Sequence, residues 1–349
     1  MVSGGHRLHS DFLYFKKDNL YGISCFENMP VESQLERGAR MKSVGILTTS
    51  YRNLHCHKPF LEIQVRKLLE DPGNYDILED FYEKKKGVLH EQSDNSSSTY
   101  LTADSTRSYP SATDGHSHLK NLHPAGCFLQ FVQFFRERIF ILWKFALLRK
   151  RILFYSSPPI GAVCYRVYCA MCLVEHGIAG LSESLVPIQP LFYVNVADIE
   201  SIEEEISYIA CTTEKIFETK TRLFDVYIDK EKLLTHSPTL KNINHVNSSD
   251  RNKFKKLNKI SVGTSKKTED DSFDDEDTFI VFFRELNERL FRTLLEASAS
   301  HDRRLTANHM RSIGLHPRAD RDFISRVAET YNIDVVLATE HPCCPLLFD

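Results

Sequence analysis

The stretch Leu142-Trp-Lys-Phe-Ala-Leu-Leu-Arg-Lys-Arg-Ile-Leu-Phe-Tyr-Ser156 changes its apolar period within a few residues. Leu142, Phe145, Ala146 and Leu148 recur at helical spacing and predict one face of an amphipathic helix. Arg149, Lys150 and Arg151 crowd its end, where the helix dipole favours cations. Ile152 to Tyr155 is a short continuous apolar run, the pattern of a strand buried on both faces. Ser156-Ser-Pro-Pro159 stops it, and a second apolar helix opens at Ile160. The order is helix, basic collar, buried strand, stop, helix.

Working outward, the chain divides into blocks. Asp11–Lys17 and Leu20–Phe26 are extended runs joined by the turn signal Asp18-Asn19, and read as a hairpin. Met41–Thr48 adds a strand. Leu54, Leu61, Val65, Leu68 and Leu69 then mark a helix stopped by Asp71-Pro72-Gly73. Strands followed by a helix on one sheet face make a small α+β layer. Residues 91–122, rich in Ser, Thr, Asp and His, read as a linker. From 123 to 241, strands at Leu191–Val196, Ile206–Cys211 and Phe224–Ile228 alternate with helices, predicting a mostly parallel sheet covered on both faces. Residues 242–277 hold a basic block and then an acidic one, and read as a solvated, flexible charged linker. In 278–349, Phe279, Phe282, Phe283, Leu286, Leu290 and Leu294 share one helix face. Shorter helices follow at Thr306–Arg311 and Asp320–Tyr331, with a terminal strand at Ile333–Leu337.

Bulk properties exclude several classes. The 349 residues carry 44 basic and 47 acidic side chains, a net charge of −3, so no global field draws the chain to nucleic acid. Arg136, Glu137, Arg138 and Lys144 interrupt the apolar segment at Phe131–Leu148, far short of the roughly 20 apolar residues a membrane span needs. No signal peptide is visible, and a cytoplasmic location is expected. Cys169 and Cys172 form a CxxC inside an apolar run without a second pair, and read as buried thiols rather than zinc ligands. Cys343-Cys344 and His55-Cys56-His57 likewise lack ligand spacing. GxSxG, GxxxxGK[ST], HExxH and GxGxxG before a helix do not occur. No cofactor, metal or catalytic group is predicted, and Asp274-Asp-Glu-Asp277 reads as a solvated acidic run.

Several long strings resemble the DENN-domain family, and most closely its LCHN group: Asp11-Phe-Leu-Tyr-Phe-Lys-Lys-Asp18, Pro30 to Leu47, Trp143 to Ile152, Tyr193-Val-Asn-Val-Ala-Asp-Ile-Glu-Ser201 and Cys211-Thr-Thr-Glu-Lys-Ile-Phe217. The resemblance implies a longin-like α+β lobe over 1–90, a three-layer α/β core module over 123–241, and a helical downstream module over 278–349. It also implies more strand ahead of Asp11 than the ten polar residues present, so the first lobe is expected to be shortened or to lack an edge strand. By the same resemblance the partner is a Rab-family small GTPase, bound between the two lobes, with membrane recruitment through partners.

An exchange factor needs no covalent chemistry, only a surface that favours the nucleotide-free GTPase. Interface candidates are Arg37, Arg40, Asp198 and Glu200. Arg37, in Leu35-Glu-Arg-Gly38, resembles the Arg-Gly of folliculin-type relatives, where an arginine finger could stabilise charge during GTP hydrolysis. The plainer reading is a solvated loop arginine beside a turn glycine. Asp198 and Glu200 leave a core strand end; Asp198 could equally cap a helix. Exchange factor, activator through Arg37 and non-catalytic scaffold are the readings carried forward.

Overall fold

A computed structural model describes residues 8–32, 38–52, 54–86, 128–181, 183, 185–264 and 272–338, with side-chain surroundings given for these outside 261–264 and 272–277. Its contacts separate two compact units, His9–His123 and Pro124–Asp349, the latter with Met1–Leu8.

The first unit is a meander of three antiparallel strands, β1 (Ser10–Lys17), β2 (Leu20–Pro30) and β3 (Ala39–Thr48). Asp18 takes a left-handed φ of 54° in the β1–β2 turn, a conformation Asp tolerates better than bulkier residues. Helix α1 (Lys58–Glu70) packs against β2 and β3. Its Leu61, Val65, Leu68 and Leu69 meet a sheet face on which Ile23, Cys25, Val44 and Ile46 are buried. Pro59 sits in the first turn, where its missing N–H costs nothing. Arg66 Nε reaches Glu27 Oε2 at 3.1 Å and fixes helix to sheet. Burial, helped by Glu62 and Glu27, pushes the Cys25 thiol up to about 12. Helix α2 (Asp76–Lys85), which the sequence reading did not foresee, buries no residue of its own. Its Phe81 stacks on Phe60 of α1 with ring centroids 4.2 Å apart.

The second unit begins with α3 (Phe128–Phe135), a turn of 3-10 helix and α4 (Ile139–Leu147). The expectation of a one-faced helix is corrected here: all nine residues of α4 are buried, as in a helix enclosed on every side. Its end is a left-handed cap. Arg149 has φ 55°, its N–H donates to Ala146 O at 2.9 Å, and Lys150 N donates to Phe145 O at 3.2 Å. The basic collar is therefore part of the backbone geometry. Arg151 then pairs with Asp225, Nη2 to Oδ1 3.3 Å.

Strand β4 (Ile152–Tyr155) lies between β6 (Tyr208–Thr212) and β7 (Val226–Asp229), parallel to both. Strand β5 (Gln189–Tyr193) pairs parallel with β6, and β8 (Lys232–Leu234) is an edge strand antiparallel to β7. Helix α5 (Ile160–Cys172) covers one face, where Cys164 and Cys211 bring their sulfurs to 3.7 Å. The opposite face is a cluster of Leu153, Tyr208, Ala210, Phe217 and Tyr227, with Ile202 of α6 (Ile199–Glu204). The fold is α/β: a longin-like α+β lobe followed by an α/β core, with helices after it.

The charged segment 242–277 is a further correction. Helix α7 (Pro238–Ile243) runs into its start, and α8 (Ser248–Thr264) fills most of its basic half. Asp250 and Lys253 of α8 are buried, because their charges are paired inside the unit instead of being solvated. Residues 265–271 lie outside the described residues. Helix α9 (Ser272–Ala299) buries Phe279, Phe283, Leu286, Leu290 and Leu294, and Phe279 stacks on Phe128 of α3 at 4.1 Å. Strand β9 (Arg304–Leu305), α10 (Ala307–Ser312), α11 (Arg321–Thr330) and β10 (Val336–Leu337) finish the unit, β9 and β10 pairing parallel. Cys343-Cys344 falls outside the described residues.

Candidate functional site

In a parallel sheet the loops at the carboxyl ends of the strands are free to recognise a ligand or partner. Here the turns after β5 and β6 form such a rim. Strand β5 carries a bulge between Pro190 and Phe192, and Phe192 adopts φ 58°, which re-aims the chain as it leaves the sheet. Asn195 then caps a 3-10 turn: its Oδ1 accepts from Ala197 N at 2.8 Å, while Asp198 Oδ2 accepts from Asn195 N at 2.8 Å. This is a reciprocal capping box. Across the rim, Glu214 Oε2 accepts from Val196 N at 2.9 Å and ties the two turns together. Tyr193 Oη and Thr213 Oγ1 add a 3.3 Å contact.

Asp198 therefore spends its carboxylate on its own turn, one turn earlier than a cap of α6 would. Glu200 differs. It is exposed in the first turn of α6, with Glu203 and Glu204 also exposed further along. Val196 and Ile216 stand about half exposed on the two tied turns, at 50% and 51%. The rim thus presents two apolar side chains and an acidic flank on a hydrogen-bonded frame. Such a frame can bind a partner at low entropic cost.

Arg40 belongs to the first unit and is half-buried; its Nη1 donates to Leu69 O at 2.9 Å, closing the last turn of α1. Arg37 lies outside the described residues. Gly38 does have the positive φ, +79°, that a turn glycine supplies.

A third arrangement was missed by sequence reasoning. Lys144, in the middle of α4, is 1% exposed and lies 2.8 Å from Asp250 Oδ2 and 2.7 Å from Asp320 Oδ1. Lys253 Nζ sits 3.1 Å from Asp250 Oδ1 and donates to Gly314 O at 2.8 Å. The Asp250 contact is an ion pair and not an aligned hydrogen bond, since that oxygen has no hydrogen-bond partner. Lys253 also lies over the rings of Phe140 and Trp143, at 5.2 and 5.1 Å. Asn247 Nδ2 and His316 N complete the shell of Asp320 at 2.8 and 2.7 Å. Burial alone would raise the Asp250 carboxyl, but Lys144 and Lys253 hold it below the usual carboxylate range. Burial lowers Lys253, against the pull of Asp250. The one available signal was Lys144 itself, a lysine inside an otherwise apolar helix. Among the described residues, no group of His, Cys, Asp and Glu could hold a metal ion, and no helix is long and apolar enough to cross a membrane.

The family model for DENN domain-containing protein 11 matches residues 1–240. The chain belongs to the DENN domain-containing protein 11 family. It is 51% identical to that protein of Mus musculus over 352 aligned residues, covering 99% of this chain and 76% of the mouse protein. The Danio rerio relative is 50% identical over 350 residues, 99% and 71% of the two chains. The Xenopus laevis relative is 49% identical over 350 residues, 99% and 79%. Similarity to the DENN domain-containing protein 11 relatives thus runs through α8 and the C-terminal helices, well past residue 240.

Proposed function

We propose that this chain is an exchange factor that promotes GDP release from a Rab-family small GTPase in membrane trafficking. The observation that carries the reading is its membership of a DENN-domain family, joined to a sequence without the GxxxxGK[ST] phosphate loop. The rim of Val196, Ile216 and Glu200 is the proposed contact on the core unit, with Arg37 and Arg40 as candidates on the longin-like lobe. Exchange would follow from binding the nucleotide-free GTPase more tightly than the loaded one, a population shift set by differential affinity. The chain would act in the cytoplasm and reach membranes through its partners. We read it further as an LCHN-group member with tripartite organisation: upstream module 1–90, linker 91–122, core 123–241 and downstream module 278–349.

One panel tests the proposal. Fluorescent-GDP release and phosphate release are followed for purified Rab proteins with this chain added. Faster GDP release is the expected result. Faster phosphate release, abolished by Arg37→Ala and not restored by Arg37→Lys, would replace exchange by activation through an arginine finger. Binding that changes neither rate would make the chain a scaffold.

A further inference from the structure

Three partly buried arginines of the second unit find oxygen acceptors: Arg151 pairs with Asp225, Arg149 donates to Val186 O and Arg321 donates to Leu337 O. Arg166 does not. It sits half-buried in the middle of α5 with its guanidinium over the Phe134 ring, 4.0 Å from the centroid. Among the described residues its guanidinium makes no hydrogen bond and no ion pair. Burial lowers its affinity for its proton, and among the described residues Cys211 acts in the opposite sense.

The guanidinium lines a notch of about 160 Å³ between α3 and α5, bounded also by Gln130, Ala162, Tyr165 and Cys169. A partly desolvated cation without a counter-charge is costly, and stacking on an aromatic face recovers only part of that cost while fixing the plane of the fork. A fixed fork is the geometry that takes a carboxylate through two parallel N–H donors. Oriented arginines in semi-enclosed, aromatic-walled pockets are the residues on which protein interfaces concentrate their binding energy. A membrane surface is a poorer fit. Recognition of anionic lipid uses clusters of basic residues on an open face, whereas the notch offers a single cation, beside Gln130 and two phenylalanine rings.

We propose that the Arg166–Phe134 notch is a docking site for an aspartate or glutamate side chain of a partner protein. The carboxylate lies in the guanidinium fork and its methylene carbons rest against Phe134. The site shares no residue with the β5–β6 rim, and the proposal stands whether or not the partner is a GTPase.

The test uses the full chain, with the Arg166 Nε–H resonance identified by its loss in Arg166→Lys. The probes are acetyl-Gly-Glu-Gly-amide, its glutamine counterpart, inorganic phosphate, and phosphatidylserine or phosphatidylcholine vesicles. The glutamate peptide is expected to move the resonance saturably and to bind about tenfold more tightly than the glutamine peptide. Arg166→Gln should abolish the difference between the two peptides. Phe134→Leu should weaken glutamate binding while leaving the charge in place, a second variant that serves if the first unfolds. Equal response to both peptides, no response to either, or preference for phosphate or for phosphatidylserine vesicles would each overturn the proposal.

Discussion

Lys144 and Asp320 meet at 2.7 Å across 176 positions of chain, and neither side chain is more than 2% exposed. The pair joins the spine of the core unit to the N-cap residue of α11. With Asp250 and Lys253 the cluster contains two cations and two anions, so it is neutral as a whole and costly only when one member is lost. Lys144→Met should cost about 3–5 kcal/mol, because two buried carboxylates then share one ammonium. Adding Asp320→Leu should recover part of that loss by removing the stranded charge. Chemical denaturation of both variants beside the wild type measures the difference.

Acid should act through Asp250. Its carboxyl is held below the ordinary value of 3.8, so the unfolded chain binds the proton more readily than the folded one. Stability then rises with pH across that window. The contribution is complete above about pH 4 and is lost as pH falls through the folded-state value. Urea midpoints from pH 6 down to pH 3 should fall more steeply for wild type than for Asp250→Asn.

Trp143 Nε1 donates to Asn287 Oδ1 at 2.7 Å, and Asn287 Nδ2 donates in turn to Leu173 O and Glu175 O at 2.9 and 2.8 Å. Asn287→Ala leaves a buried indole N–H without an acceptor and takes a donor from two carbonyls. A loss of about 1–3 kcal/mol is expected, together with a shift in the fluorescence of Trp143, the single tryptophan in the sequence.

The two acids of the β5 rim should separate cleanly. Asp198→Ala breaks the capping box and should cost about 1 kcal/mol in stability. Glu200→Lys touches no such bond and should change stability by no more than about 0.5 kcal/mol. On the proposed function, it is Glu200→Lys that weakens GTPase binding. Thermal melts paired with binding titrations read both effects; a Glu200→Lys protein that binds as well as wild type would remove this residue from the interface.

What the sequence made legible follows its periodicity. The β1–β2 hairpin, α1, the buried β4 run and the apolar face of α9 were each readable, because a single local pattern specified them. Lys144 and the segment 242–277 were not. Locally, Lys144 looks like an interruption and Lys253 like one charge in a basic run. Only the three-dimensional approach of Asp250 and Asp320 turns them into an interior. At the rim, Asp198 could be suspected of capping, but its partner Asn195 became clear only from the backbone turn. The stacked Arg166 left no trace in any motif.

The distance between Lys144 and Asp320 along the chain also sets a timetable. At about 5–20 residues per second, ribosomal synthesis needs about 9–35 s to add the 176 residues separating them. Until Asp250 is made the emerging core holds an ammonium group with neither of its carboxylates, and Trp143 waits for Asn287 over 144 residues. The segment matched by the family model, ending at residue 240, is thus an unfinished object. A polypeptide stopped there should remain bound to chaperones or aggregate, and would sediment with neither the size nor the solubility of a folded domain.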